Sequence, residues 1–413
     1  KGSQQRKDFS FAHFFPMELI AEEHVGFEVI TMEEFLVREG LAGNLRDSAG
    51  QVRFPPKNMT QWDGQDHFSI SNKLEAYLLT IGKVPEWDPE KCMASFPSTT
   101  SPKDIEILRQ IKKEVDDAGG FPGYEDYVGK PHPVDAPPKD RMMENWAGRE
   151  ALCIYDEQLQ NSKVIHFTEG DGGQGARLLV HFYAFLFFQD WKADLWMKRF
   201  VRDHVRYIDE IQCAAARVVE VLRKRARERH PDTNPDGAFD TFHIRRGDFQ
   251  YKVTRFDAPK IVEESRKELT PNATVYIATD EHDRAFFDPM AELYDVVFLD
   301  DVKDVLEGVN TNYYGMIDQL VASRGRIFFG CWFSTFTGYI NRLRGYHANK
   351  GKTKGYEDGI VPSYYYALVD RHYHMQTFYP VKRSYYAREF PASWRLIDKG
   401  IGEDEHLEAI EEK

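Results

Sequence analysis

Residues 241–249, Thr241-Phe242-His243-Ile244-Arg245-Arg246-Gly247-Asp248-Phe249, run a buried-looking strand directly into two arginines and a carboxylate. The strand is read from Ala238, Phe239, Phe242 and Ile244. It lies between the breaker run Pro231-Asp232-Thr233-Asn234-Pro235-Asp236-Gly237 and Gly247. Arg245 and Arg246 therefore leave a sheet at a strand's carboxyl end, where open α/β sheets place their ligands. A planar guanidinium pairs two phosphate oxygens at once, and Asp248 stands where it can lock the Arg245 fork. The same residues also suit an ordinary salt-bridged surface turn, so the reading depends on what else the chain brings to the strand end. An exposed adhesion-type Arg246-Gly247-Asp248 loop does not fit that position.

A second signal lies at 326–343. Arg326-Ile327-Phe328-Phe329-Gly330 reads as a short strand, Cys331-Trp332-Phe333 as a loop, and Ser334-Thr335-Phe336-Thr337 as a helix start with Ser334 at the N-cap. Phe336, Tyr339, Ile340 and Leu343 recur at helical spacing, so one face of this helix is buried. The free N–H groups and positive dipole end of such a helix suit a diphosphate, with the Ser and Thr hydroxyls as further donors. Asp318 lies upstream on a helix whose apolar face is marked by Tyr314, Ile317, Leu320 and Val321. A half-buried carboxylate there can accept from both the ring N–H and the amine of guanine, a donor pair that adenine lacks.

Between these motifs, Thr274-Val275-Tyr276-Ile277-Ala278-Thr279-Asp280 and Tyr294-Asp295-Val296-Val297-Phe298-Leu299 read as strands. Helical stretches at 258–268 and 282–293 separate them, giving β-α-β-α-β-α-β over 238–345, a doubly wound parallel half-domain. Asp280 reads as a turn and helix-start residue.

These motifs resemble the GDP-fucose-dependent fucosyltransferases. His243-x-Arg245-x-x-Asp248-Phe249 is closest to the protein O-fucosyltransferase family, and Gly330-x-x-x-Ser334-Thr335-Phe336-Thr337 resembles that family's β-phosphate motif. Val275 to Asp280, Val164 to Phe167, Arg199 to Tyr207, Ser363 to Tyr366 and Glu389 to Lys399 are similar to its connecting and terminal segments. The resemblance implies an α/β protein of GT-B type, with two Rossmann-like lobes and the donor in the cleft between them. The expected divisions are an amino-terminal lobe over 1–235, a donor-binding lobe over 236–345 and a tail over 346–413 packing back across both.

The resemblance further implies inverting transfer of fucose from GDP-fucose to a hydroxyl of a protein or glycan. Arg245 would neutralise the β-phosphate, with His243, Arg246 and Asp248 around it. Ser334, Thr335 and Phe336 would hold diphosphate and base, and Asp318 would contact guanine. GDP-fucose is a substrate, so no cofactor is expected. The chain lacks an Asp-x-Asp sequence, in keeping with a reaction that needs no metal. In the family, a first strand and a Gly-rich loop bearing Asn and Arg precede the segment that resembles Phe9 to Phe35. The expectation is that the native protein carries that segment, the catalytic base with it, and a targeting signal or membrane anchor upstream of Lys1. Three other readings stay open: a transferase using a different nucleotide sugar, such as a rhamnosyltransferase; a non-catalytic sugar-binding or structural subunit; and, third, a nicotinamide oxidoreductase.

Composition is consistent with this. A chain of 413 residues, 42% hydrophobic, can bury the cores of two ordinary domains. The net charge of −13 argues against nucleic acid as the main partner and makes the arginine clusters local sites. No run of about 20 apolar residues suggests a membrane span. The resemblance implies residence in the lumen of the endoplasmic reticulum or Golgi, and the sequons at Asn58-Met59-Thr60 and Asn272-Ala273-Thr274 are compatible with it. Cys92, Cys153, Cys213 and Cys331 permit two bridges whose pairing the sequence does not decide.

Three further stretches are read alongside. Gly170-Asp171-Gly172-Gly173-Gln174-Gly175 matches the dinucleotide fingerprint after an expected strand at 163–168. The following 191–206 is helical and charge-rich rather than a strand ending in an acid, so a nicotinamide site is disfavoured. His181 to Phe188 reads as helical. Residues 87–140 read as an irregular insertion with a helix near 102–117, and His372-x-His374 has no metal partners nearby.

Overall fold

A computed structural model describes residues 11–26, 28–46, 49–52, 74, 77–85, 87, 92–119, 133–146, 151–167, 186–357 and 359–366. The Gly170–Gly175 loop, His372 and His374, the Glu389–Lys399 segment and the sequon at Asn58 lie outside the described residues.

The described amino-terminal half carries a 3-10 turn at Phe11–His13, then helix α1 (Glu18–Glu23), and contains a parallel three-stranded sheet of β1 (Cys92–Phe96), β2 (Ala151–Ile154) and β3 (Leu186–Phe188), in the order β2-β1-β3. Helix α2 (Pro102–Asp117) starts where the sequence places it: the Ser101 hydroxyl accepts from the Lys103 N–H, and Pro102, which has no N–H to satisfy, takes the first turn. Its buried stripe, Ile105, Leu108, Ile111 and Val115, lies over the sheet, with Leu108, Ile111 and Val115 packing with Met93, Leu152 and Phe187.

Two expectations fail in this half. Residues 87–140 are not merely an insertion, because they supply β1, the central strand. Leu186–Phe188, expected in a helix, pair with β1 as an edge strand. A short run of bulky apolar residues satisfies either period, and the open edge of β1 decided between them. The strand expected at 163–168 amounts to a single bridge, Lys83 to Ile165, within the described residues. Cys92 and Cys153 are disulfide-bonded, tying β1 to β2, while Cys213 and Cys331 are free.

Helix α3 (Trp191–His204) is capped by Asp190 and helix α4 (Asp209–Arg229) follows. They lead into a five-stranded, wholly parallel sheet: β4 (Asp240–Ile244), β5 (Thr274–Thr279), β6 (Asp295–Val297), β7 (Phe328–Gly330) and β8 (Ser363–Tyr365), ordered β6-β5-β4-β7-β8. Helix α5 (Ala258–Ser265) connects β4 to β5, α6 (Tyr314–Ala322) precedes β7, and α7 (Thr335–Lys350) follows it. The sheet is covered on both faces, and β5 shows how. Tyr276 and Ala278 join α4 and α6 in one core, while Val275 and Ile277 join Ile261 of α5, Phe287 and Met290 in the other. Each fully buried Val or Ile contributes about 1.5–3 kcal/mol, which is why an uninterrupted apolar run reads as a central strand.

The doubly wound order expected over 238–345 is therefore present, and Ser363–Tyr365 extends it by one strand beside β7. Two buried ion-paired or hydrogen-bonded groups fix the lower end of this sheet. Asp240 receives both Nε and Nη2 of Arg326 and the N–H of Ile327. Arg344 of α7 donates to the carbonyls of Gly325, Arg326 and Pro362 and to Ser363 Oγ. Burial lowers its pKa to about 9. The chain reverses direction across the sheet between β4 and β7, and ligands of such folds sit at the strand ends beside that point.

Candidate nucleotide site

A cavity of about 700 Å³ opens there, lined by the carboxyl ends of β4 and β5, the loop 248–251, α6, and the start of α7. Of the residues singled out in the sequence, His243, Arg245, Asp248, Asp318, Ser334, Thr335 and Phe336 all line it. Arg246 is the exception. Its guanidinium donates to Glu281 and to the Phe256 carbonyl and lies 3.9 Å from the Phe286 ring centroid, on the outer side of the turn. Alternation of side chains at a strand end sends neighbours to opposite sides, so only one of the two arginines reaches the cavity.

Arg245 is held at two corners. Nη2 donates to Asp248 at 2.9 Å, and Nη1 pairs with Asp280 at 2.9 Å. The two carboxylates are not equivalent. Asp248 is 94% exposed, so its pair with Arg245 is a surface ion pair worth roughly 0.2–1 kcal/mol. Asp280 also accepts the backbone N–H groups of Arg246 and Gly247, at 2.7 and 2.9 Å. It therefore holds both the turn and the guanidinium.

This corrects the reading of Asp280 as a helix-start residue, since the next helical turn begins at Arg284 with Asp283 as its cap. It also explains Gly247: a Cβ there would stand 2.4 Å from Asp280 Oδ2. An Asp directly after a Thr at a strand's carboxyl end was the sequence signal for this role.

His243 is buried and stacks on Phe336 at 4.5 Å between ring centroids. Thr337 Oγ1 accepts the Cys331 N–H at 2.9 Å and lies 2.7 Å from His243 Nδ1. A hydroxyl that accepts the Cys331 N–H can donate its own proton to Nδ1, and with that assignment the proton of the neutral ring sits on Nε2. Burial lowers the His243 pKa to about 3, so this residue offers the cavity a neutral N–H donor rather than a cation. Thr337, which links β4, the loop and α7, stands in the helix-start motif read from the sequence but was given no role there.

Helix α7 begins at Ser334, whose backbone is extended and whose side chain makes no capping bond, leaving its hydroxyl and the first amides facing the cavity. The chain reaches this point through Phe333, a non-glycine residue at φ 64°, a conformation that costs of order 1–3 kcal/mol. The strain turns Phe333 onto Tyr251, 4.6 Å between centroids, and both rings line the cavity. Gly330 allows the close approach beneath: a Cβ there would meet the Thr337 side chain at 2.3 Å. The hydroxyl of Tyr366, next to β8, braces the same strand end by accepting the Arg245 N–H at 3.2 Å.

Asp318 on α6 accepts the Tyr276 hydroxyl at Oδ1, and Oδ2 has no hydrogen-bond partner among the described residues. Desolvation is the main cause that raises its pKa, to about 7, opposed by the Tyr276 hydrogen bond. The cavity thus has a cationic and amide-rich region around Arg245 and α7, and a carboxylate on α6. That arrangement can take a diphosphate at one place and an N–H pair at another.

An arginine at a central strand end facing an open helix terminus has the chemistry to take a phosphate. The family model for GDP-fucose protein O-fucosyltransferases matches residues 1–347, and the chain belongs to that family. Distant likenesses to solved structures include the NodZ α-1,6-fucosyltransferase co-crystallised with GDP, 18% identical, covering 38% of this chain and 51% of that one at a TM-score of 0.24. Another is a mutant of Arabidopsis thaliana FUT1 in complex with GDP, 10% identical, covering 87% of this chain and 85% of that one at a TM-score of 0.26. The chain thus spans about half the length of the NodZ structure. No curated protein matches it.

Proposed function

We propose that the protein is a GT-B-type fucosyltransferase that takes fucose from GDP-fucose and passes it, with inversion, to a hydroxyl of a protein or glycan. The observation that carries this reading is the convergence of Arg245, the open start of α7 and the Asp318 carboxylate on one cavity. In the reaction the bond between the sugar's anomeric carbon and the β-phosphate oxygen breaks, and the electron pair stays on GDP. Arg245 and the α7 amides stabilise that charge as it develops. Asp248, exposed and weakly paired, is displaced by the phosphate, while Asp280 keeps the guanidinium aimed. His243 adds a neutral N–H. Asp318 takes the guanine N–H pair through its oxygens. The acceptor oxygen attacks the opposite face of the sugar, and its proton leaves to a base other than Asp248 and Asp280, which Arg245 engages.

Arginine and the helix dipole supply the charge that a divalent metal supplies elsewhere, so turnover needs no metal in this reading. Residence in the secretory lumen is supported by the Cys92–Cys153 disulfide, which suits an oxidising compartment, and by the exposed turn at Asn272, which carries one of the sequons.

The deciding experiment is a calorimetric panel of GDP, UDP and NAD, followed by a transfer assay with labelled GDP-fucose. GDP is expected to bind and UDP and NAD to bind far more weakly. Equal affinity for GDP and UDP rejects the guanine assignment. Tight GDP binding without sugar transfer to any acceptor points instead to a sugar-binding subunit, and turnover of a different GDP-sugar to a sister transferase.

A further inference from the structure

Away from the nucleotide cavity, three side chains bring possible ligand atoms to one point. Glu23 is the last residue of α1, His24 follows it in extended conformation, and His204 ends α3. Glu23 Oε2 lies 3.0 Å from His204 Nε2, and His24 Nε2 lies 3.1 Å from the same atom. The three ligand atoms are all within 4.8 Å of one another. None of the three residues lines the nucleotide cavity.

The hydrogen bonds impose a constraint. His204 Nδ1 is 2.9 Å from the Phe200 carbonyl, which can only accept, so Nδ1 carries the proton. In the neutral ring Nε2 then presents a lone pair, and it faces the carboxylate of Glu23, which also has only lone pairs to offer. The contact is repulsive unless a proton or a metal cation lies between them. A backbone carbonyl bonded to Nδ1 is also the usual device that fixes a histidine's tautomer and orients Nε2 toward a metal. The two separations at His204 Nε2, 3.0 and 3.1 Å, are close to this geometry: in a tetrahedral site with bonds of about 2.0–2.1 Å, neighbouring ligand atoms stand roughly 3.3 Å apart.

The rings are also braced. His204 stacks on Phe200, which stacks on Trp196, and His24 packs against all three. Aromatic neighbours at successive turns of α3 hold the imidazoles in place before any ion arrives, which lowers the ordering cost of binding.

We propose that Glu23, His24 and His204 form a site for a divalent transition metal, zinc by its ligand chemistry, that fastens α1 to the end of α3. Two imidazoles and one carboxylate suit zinc and disfavour magnesium or calcium, which take oxygen ligands. With three protein ligands the fourth position is left to water; the bound metal fastens the amino-terminal helix and, lying away from the nucleotide cavity, takes no part in sugar transfer.

The test uses the full chain, free of any affinity tag, stripped with chelator and titrated with Zn²⁺ by calorimetry. Co²⁺ serves as the spectroscopic probe. One equivalent of Zn²⁺ is expected to bind and the Tm to rise with metal concentration. Co²⁺ should give the visible absorption of a tetrahedral site, while excess Mg²⁺ should not compete. His204→Ala and His24→Ala remove binding. Glu23→Gln, a conservative change at an exposed residue, weakens it at least about tenfold with an unchanged circular dichroism spectrum. GDP affinity stays the same with and without the metal.

Failure of the folded wild-type protein to bind Zn²⁺ overturns the proposal, and so does unaltered binding by Glu23→Gln and the two histidine variants. A His204 imidazolium paired with Glu23 in metal-free protein, detected by NMR together with no zinc affinity, would assign the cation as a proton instead and equally reject the metal.

Discussion

Arg245 and Asp318 are the two side chains on which the nucleotide reading turns, and each makes a distinct prediction. Arg245→Lys keeps a positive charge but cannot meet Asp280 and a phosphate through a planar fork. Its kcat/KM for sugar transfer should fall about 100- to 1,000-fold, as for loss of one oriented donor at a developing charge, with thermal stability unchanged. A near-normal rate would show that the phosphate lies elsewhere.

Asp318 predicts a pH dependence whose sign follows from its raised pKa of about 7. Guanine's N–H groups need the carboxylate, so GDP should bind more tightly as pH rises from 5 through 7 and level off above. Stability of the empty protein should move the opposite way: above the ordinary carboxylate range the unfolded chain has lost this proton while the folded chain retains it, so stability from this group is present at low pH and lost as pH approaches 7. Asp318→Asn should flatten both profiles and weaken GDP about tenfold or more, because an amide offers one acceptor and two unmatched donors. A GDP affinity independent of pH in the wild type would remove Asp318 from the base site.

At the scale of elements, the start of α7 is positioned by its contact with β7 as much as by its own cap. Thr337 ties the Cys331 amide and His243 together over Gly330. Gly330→Ala puts a methyl group against that threonine and should cost about 1–3 kcal/mol of stability, measured by chemical denaturation, and also weaken GDP binding by moving the helix terminus. Full stability with full affinity would show that α7 is not seated through this contact.

The helix itself, its Ser334 start and the strand before it were readable from apolar spacing. The closeness of Thr337 to His243 was not, because it joins residues far apart in sequence. Leu186–Phe188 shows the other limit. Three apolar residues carry no period, so whether they coil or pair depended on a strand contributed from 92–96.

For the whole molecule, the cavity described is built by residues 243–336, whereas the disulfide lies in the amino-terminal sheet. Its 61-residue separation would remove about 4 kcal/mol of unfolded-state freedom in a chain-entropy account. Replacing Cys92 and Cys153 with Ser should therefore lower the stability of the amino-terminal half by up to about that amount, seen as an earlier unfolding transition, while GDP affinity is retained. Loss of GDP binding in the folded double variant would mean that the amino-terminal half shapes the cavity directly.

The sequence by itself determined the parallel α/β character of 238–345, the strand end at Arg245, the open helix start at Ser334 and the family. Each of these rests on local patterns: uninterrupted apolar runs, breakers and a cap residue. Tertiary structure alone decided that Arg246 faces away, that Asp280 rather than Asp248 is the firm partner of Arg245, that Cys92 joins Cys153, and that Glu23, His24 and His204 meet. Those outcomes depend on which segments pack side by side, and a contact between residues distant along the chain leaves no periodic trace in it.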